Sequence, residues 1–160
     1  MPSDTQDTSP VALPAALTAA REHAAADGLP YAGGVRPVDA WRLVIDDQVL
    51  LVDVRSGEER KFVGHVPGSV HVAWANGTAL TRNPRFVREL EAKLGAKDRP
   101  VLLLLCRSGK RSALAAEAAA KAGLTQVFNV FEGFEGEIDA AQHRGSAGGW
   151  RHHGLPWVQD

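Results

Sequence analysis

The chain has 160 residues, a net charge of −1 at neutral pH and 44% hydrophobic residues, enough for one domain built on a single sizeable core. Near-zero charge gives no global attraction to nucleic acid or to an anionic membrane surface. No apolar run approaches the roughly 20 residues of a membrane helix, and the polar start Met1-Pro-Ser-Asp-Thr-Gln-Asp7 lacks a signal peptide's basic and apolar regions, so a cytoplasmic protein is expected.

Residues up to about Pro10 read as disordered from their polarity and proline content. Ala15 to Ala26 is alanine-rich and predicts a helix ending at Gly28. Residues 1–35 are thus a tail with an appended helix, ahead of a main domain spanning 36–160. Pro37 to Asp46 predicts a helix, Val49 to Val54 a strand, and Gly57 to Val63 a short helix with Phe62 buried. Val70 to Trp74 reads as a second strand, and Asn83-Pro84 opens a helix to Leu94 with Phe86, Leu90 and Leu94 on one face. Strand Val101 to Leu105, helix Ser112 to Ala122, strand Gln126 to Val130 and short terminal helices complete the pattern. Strands alternating with helices imply an α/β fold, a mostly parallel central sheet with helices on both faces.

Cys106, the single cysteine, stands where the apolar run Val101–Leu105 stops and Arg107-Ser-Gly-Lys-Arg111-Ser112 begins. A lone cysteine at a strand end is often only a small buried hydrophobe. Three cations and Gly109 within five positions argue instead for chemistry. The carboxyl end of a parallel strand is where open α/β sheets place ligands, and the following N–H groups and helix start favour a thiolate. Cys106 is therefore a candidate nucleophile. With one cysteine there is no internal disulfide, and no Cys/His spacing suits a structural zinc.

Further motifs stand along the chain on either side of the loop. Asp53-Val-Arg55, Glu58-Glu59, Gly64-His-Val-Pro-Gly-Ser69, Cys106 to Ser112, Val130-Phe-Glu-Gly-Phe134, Gly148-Gly-Trp150 and Gly154-Leu-Pro-Trp157 stand in order. Together they resemble the signatures of single-domain rhodanese-like sulfurtransferases over about Arg36 to Trp157. The resemblance implies a rhodanese-like fold and a Cys106 persulfide that carries sulfane sulfur from a small anionic donor, such as thiosulfate, to cyanide or an external cellular thiol. It calls for no metal, organic cofactor, nucleic acid or membrane. Cysteine-dependent phosphatases of the same fold carry a longer loop than the four residues between Cys106 and Arg111. A sulfur carrier or partner-binding module, and less readily a phosphatase or arsenate reductase, are the alternatives.

Around the nucleophile, Arg107 and Lys110 are candidates to meet the anionic donor, Ser108 offers a hydroxyl to the outer sulfur, and Gly109 provides the turn. Arg111 turns either inwards to a carboxylate such as Asp53 or Glu59, or outwards to substrate; the inward choice fixes the loop's shape. Asp53 and Arg55 act as supports, Asp53 bonding loop backbone or a loop arginine rather than serving as a base. The resemblance makes His65 a turn residue whose ring bonds backbone. His143, His152 and His153 read as solvated surface, with the adjacent pair diverging; Trp150 and Trp157 read as core or rim packing. Glu132-Gly133-Phe134 is placed at the pocket mouth.

Overall fold

The computed structural model describes residues 14–47, 49–94 and 101–159; the expectation for residues up to Pro10 lies outside them. Its centre is a parallel five-stranded sheet. In chain order the strands are β1 (Gly33–Val35), β2 (Val49–Asp53), β3 (Val70–His71), β6 (Val101–Leu105) and β7 (Val127–Val130), arranged β1-β7-β6-β2-β3. A separate hairpin, β4 (Ala75–Asn76) with β5 (Thr81–Arg82), lies between β3 and β6 in sequence. The expected α/β arrangement, a mostly parallel central sheet with helices on both faces, is the one observed.

Alternation along β6 sorts its side chains between two cores. Leu102, Leu104 and Cys106 join Val52, Val54, Phe86, Leu90 and the alanines of α5 (Lys110–Lys121), under α4 (Phe86–Leu94). Leu103 and Leu105 join Leu17 of α1 (Ala15–Asp27), Ala40 and Leu43 of α2 (Pro37–Ile45), Phe128, Phe134 and Trp150. Each buried leucine contributes on the order of 2 kcal/mol of apolar transfer. Small Ala115, Ala116 and Ala119 let α5 lie close on the sheet, and β6 is apolar on both faces because both are covered.

Several expectations need correction. Phe62 ends α3 (Gly57–Phe62) and is 70% exposed, because this short helix buries no residue; Lys61 Nζ lies 5.7 Å from its ring centre. The strand expected to reach Trp74 stops at His71, after which Val72 and Trp74 N–H still donate to the carbonyls of Asp53 and Val54 while the Trp74 carbonyl turns to Asn83 N–H. The segment after β7 forms turns rather than short helices. Glycines 133, 136, 145, 149 and 154 all take positive φ there, which no helix accommodates. Two elements went unforeseen: the hairpin and β1. Strand β1 pairs with β7 and packs so closely under α1 that a Cβ on Gly33 would lie 2.6 Å from Ala20 O.

Candidate active site

Register sets the site. Asp53 pairs with Leu105 across β2 and β6, and Leu104 with Asn129 across β6 and β7. The residues that follow these strands, Val54–Ser56, Cys106–Gly109 and Phe131–Gly136, therefore meet at one sheet edge. The third segment backs the loop: Phe134 N–H donates to Cys106 O, and Glu135 and Gly136 N–H to Arg107 O. Gly133, at φ +68°, lets the chains approach, since a Cβ there would lie 2.5 Å from Arg107 O.

Cys106 is 1% exposed. Its Sγ accepts from the Gly109 N–H at 3.1 Å and lies 3.2 Å from Ser112 Oγ. Gly109 caps α5 with φ +99°, a left-handed conformation that turns its N–H onto the sulfur. No side chain caps the helix, so the sulfur occupies the place where an anion meets the helix N-terminus. The loop also starts α5 two residues earlier than expected, at Lys110.

Arg111 turns inwards. Its Nη1 and Nη2 donate to Glu59 Oε1 and Oε2 at 2.7 and 2.8 Å, tying α5 to α3. Glu59 also closes a capping box: its Oε1 accepts from Ser56 N–H and Oγ–H, while Ser56 Oγ accepts from Glu59 N–H. Burial raises the Glu59 carboxyl, but hydrogen bonding and charge from Arg111, with the Ser56 donors, outweigh it and hold its pKa at about 2. The same pair raises Arg111, against burial, and the charges of Cys106 and Asp53 add to the rise.

Asp53 and Arg55 form a buried support below the loop. Arg55 Nε and Nη2 donate to the two Asp53 oxygens at 3.0 and 2.8 Å, Nη2 also donates to Gly64 O, and the guanidinium lies 4.3 Å from the Phe134 ring centre. Asp53 further accepts from Arg55 N–H and from Arg60 Nη1 at 3.1 Å. Both carboxylate oxygens are thereby engaged by cations, leaving Glu59 as Arg111's partner.

Beside the loop lies a cavity of about 360 Å³ whose wall includes Ser56, Glu58, Glu59, Leu80, Arg107 and Glu135. Arg107 is half-buried, and its Nε has no hydrogen-bond partner. Ser108 is half-buried, whereas Lys110 is exposed at the start of α5 and outside the cavity wall. Glu132, at φ +69°, is held by the C-terminal turns: its Oε1 accepts from Gly149 N–H and meets His153 Nε2 at 2.8 Å. Burial raises this carboxyl, but those two partners outweigh it and lower its pKa. Phe134 is fully buried rather than at a mouth.

Two histidine expectations fail. His143, His152 and His153 are exposed, as expected of surface residues, but the rings of His152 and His153 sit edge-to-face at 5.2 Å rather than diverging, held by Gly145 O and by Glu132. His65 is fixed by its backbone bonds to Val158, and its ring Nδ1 has no partner. Sequence reading also passed over Ser112 and Asn129. Ser112 Oγ lies 2.5 Å from Asn129 Oδ1, and Asn129 Nδ2 donates to Gly109 O at 3.1 Å. The available signal was a lone polar residue in the apolar strand Val127-Phe-Asn-Val130.

A family model described as a rhodanese-like domain matches residues 37–138. The chain belongs to the rhodanese-like family. Among relatives of this family member, an uncharacterized Rickettsia prowazekii protein is 32% identical over 117 residues, covering 72% of this chain and 87% of its own. The crystal structure of Rv0390 from M. tuberculosis is 43% identical, with TM-score 0.71, covering 81% of this chain and 99% of its own. A thiosulfate sulfurtransferase from Pseudomonas aeruginosa shares the fold at 16% identity and TM-score 0.58, covering 90% of this chain and 23% of its own. No helix among the described residues is long and apolar enough to cross a membrane.

Proposed function

We propose that the protein is a thiosulfate sulfurtransferase of rhodanese type, working through a persulfide on Cys106. The observation that carries this reading is the Cys106 sulfur held 3.1 Å from the Gly109 N–H at the start of α5. There the helix dipole and the loop amides favour negative charge on sulfur. The Cys106 thiolate attacks the outer sulfur of thiosulfate; the S–S bond of the donor breaks and sulfite leaves with the electron pair. The resulting persulfide anion passes its outer sulfur to cyanide or to a cellular thiolate, which regenerates the Cys106 thiolate. This is nucleophilic catalysis in two half-reactions and follows ping-pong kinetics.

Arg107, on the cavity wall, meets the anionic donor, with Lys110 adding weaker charge from the exposed start of α5 and Ser108 a hydroxyl near the outer sulfur. Gly109 supplies the N–H, Arg111 fixes the loop through Glu59, and Asp53 with Arg55 hold the floor. A single thiol has no internal resolving partner, so discharge goes to an outside acceptor, in a reducing cytoplasm where a free cysteine persists. The test is thiosulfate:cyanide turnover by wild type and Cys106→Ser. Transfer by wild type, lost in a folded Cys106→Ser protein, is expected. Comparable transfer by Cys106→Ser refutes the mechanism, and a persulfide that forms without discharging to cyanide marks a carrier instead.

A further inference from the structure

Asn129 reaches the site from β7, 4% exposed in an otherwise apolar strand. Its hydrogen bonds have only one consistent direction. Gly109 O can only accept, so the Asn129 NH2 group faces it, at 3.1 Å. The amide oxygen therefore faces Ser112 Oγ, at 2.5 Å, and it too can only accept. A serine hydroxyl has one hydrogen, and here Asn129 takes it. What Ser112 turns towards Cys106 Sγ, 3.2 Å away, is then an oxygen lone pair.

We infer that Asn129 is a positioning residue that competes with Cys106 for the single hydrogen of Ser112. In the protonated form the Cys106 S–H can donate to Ser112, which donates to Asn129. A bare thiolate gains Ser112 as a donor only by breaking the Ser112–Asn129 bond and leaving a buried amide oxygen without its partner. In the persulfide the charge sits on the outer sulfur, so Sγ no longer calls for that hydrogen. Asn129 thus disfavours the free thiolate relative to the sulfur-loaded state. This assignment of roles rests on the persulfide reading above, but the hydrogen-bond competition itself does not need turnover to be measured.

The experiment is alkylation by iodoacetamide at pH 7, with Cys106 as the only thiol in the chain. Wild type is compared with Asn129→Leu, close in shape, and Asn129→Val, which suits a strand of valines and phenylalanine. Each is made alone and in a Ser112→Ala background. Arg107, Lys110 and the Arg111–Glu59 pair are untouched in every variant. Freeing the Ser112 hydrogen for the sulfur should accelerate alkylation about fivefold to tenfold, the worth of one hydrogen bond to a charged acceptor less the nucleophilicity that a less basic thiolate gives up. In the Ser112→Ala background the same substitutions should change the rate less than about twofold, because the competition has been removed. Unchanged or slower alkylation in both folded single variants overturns the inference. So does equal acceleration with and without the Ser112 hydroxyl, which would mark simple loosening of the strand. Because no sulfur is transferred in this assay, its outcome is independent of whether thiosulfate is the donor.

Discussion

Glu59→Gln removes the charge from the carboxyl that clamps Arg111 while keeping its shape. The side-chain oxygen can still accept from Ser56, so the α3 cap survives, but the amide NH2 faces one guanidinium N–H and the bidentate pair is lost. Glu59 is held at about 2 in the folded protein against an ordinary 4.5. That difference corresponds to about 3 kcal/mol. Arg111 and Glu59 keep 13% and 17% of their side-chain exposure, and screening there reduces the expected loss to about 1–2 kcal/mol. The sign follows from the lowered pKa: the stabilisation is complete above pH 4.5 and declines as pH falls towards 2. Urea unfolding at pH 7, 4 and 2.5 measures it. Wild type should exceed Glu59→Gln by about 1–2 kcal/mol at pH 7, and about a quarter of the gap should survive at pH 2.5. A gap that is absent at pH 7, or constant down to pH 2.5, refutes the reasoning.

Gly133→Ala places a Cβ against the Arg107 carbonyl at a φ of +68°, so it should destabilise the fold by about 2–3 kcal/mol and displace the loop; thermal unfolding and the Cys106 alkylation rate report both effects. Arg107→Ala should raise the KM for thiosulfate severalfold and flatten its dependence on ionic strength, whereas Lys110→Ala, outside the cavity wall, should change KM less than about twofold at moderate salt; steady-state kinetics at two salt concentrations separates them.

The loop and its strand were legible because Val101–Leu105 admits one reading, an apolar run too short for a helix and closed by a glycine turn. What lay hidden was set by contacts distant in sequence. Strand β1 begins with two glycines and has no pattern of its own; its extended form comes from β7 beside it and α1 against it. The choice for Arg111 between Asp53 and Glu59 was decided by Arg55 and Arg60, which already occupy Asp53. Phe62 satisfied a helical pattern, but six residues of α3 do not present a face to the core. Asn129 and Ser112 stand 17 positions apart on adjoining elements, and only the fold makes their one shared hydrogen a matter for Cys106.

Intact-protein mass spectrometry after thiosulfate treatment, with peptide mapping, tests the central claim most directly. Cys106 should gain one sulfur atom, which cyanide removes as thiocyanate, and Cys106→Ser should gain none. A wild-type protein that releases thiocyanate while Cys106 stays unmodified, or that takes up sulfur equally without its cysteine, would contradict that claim.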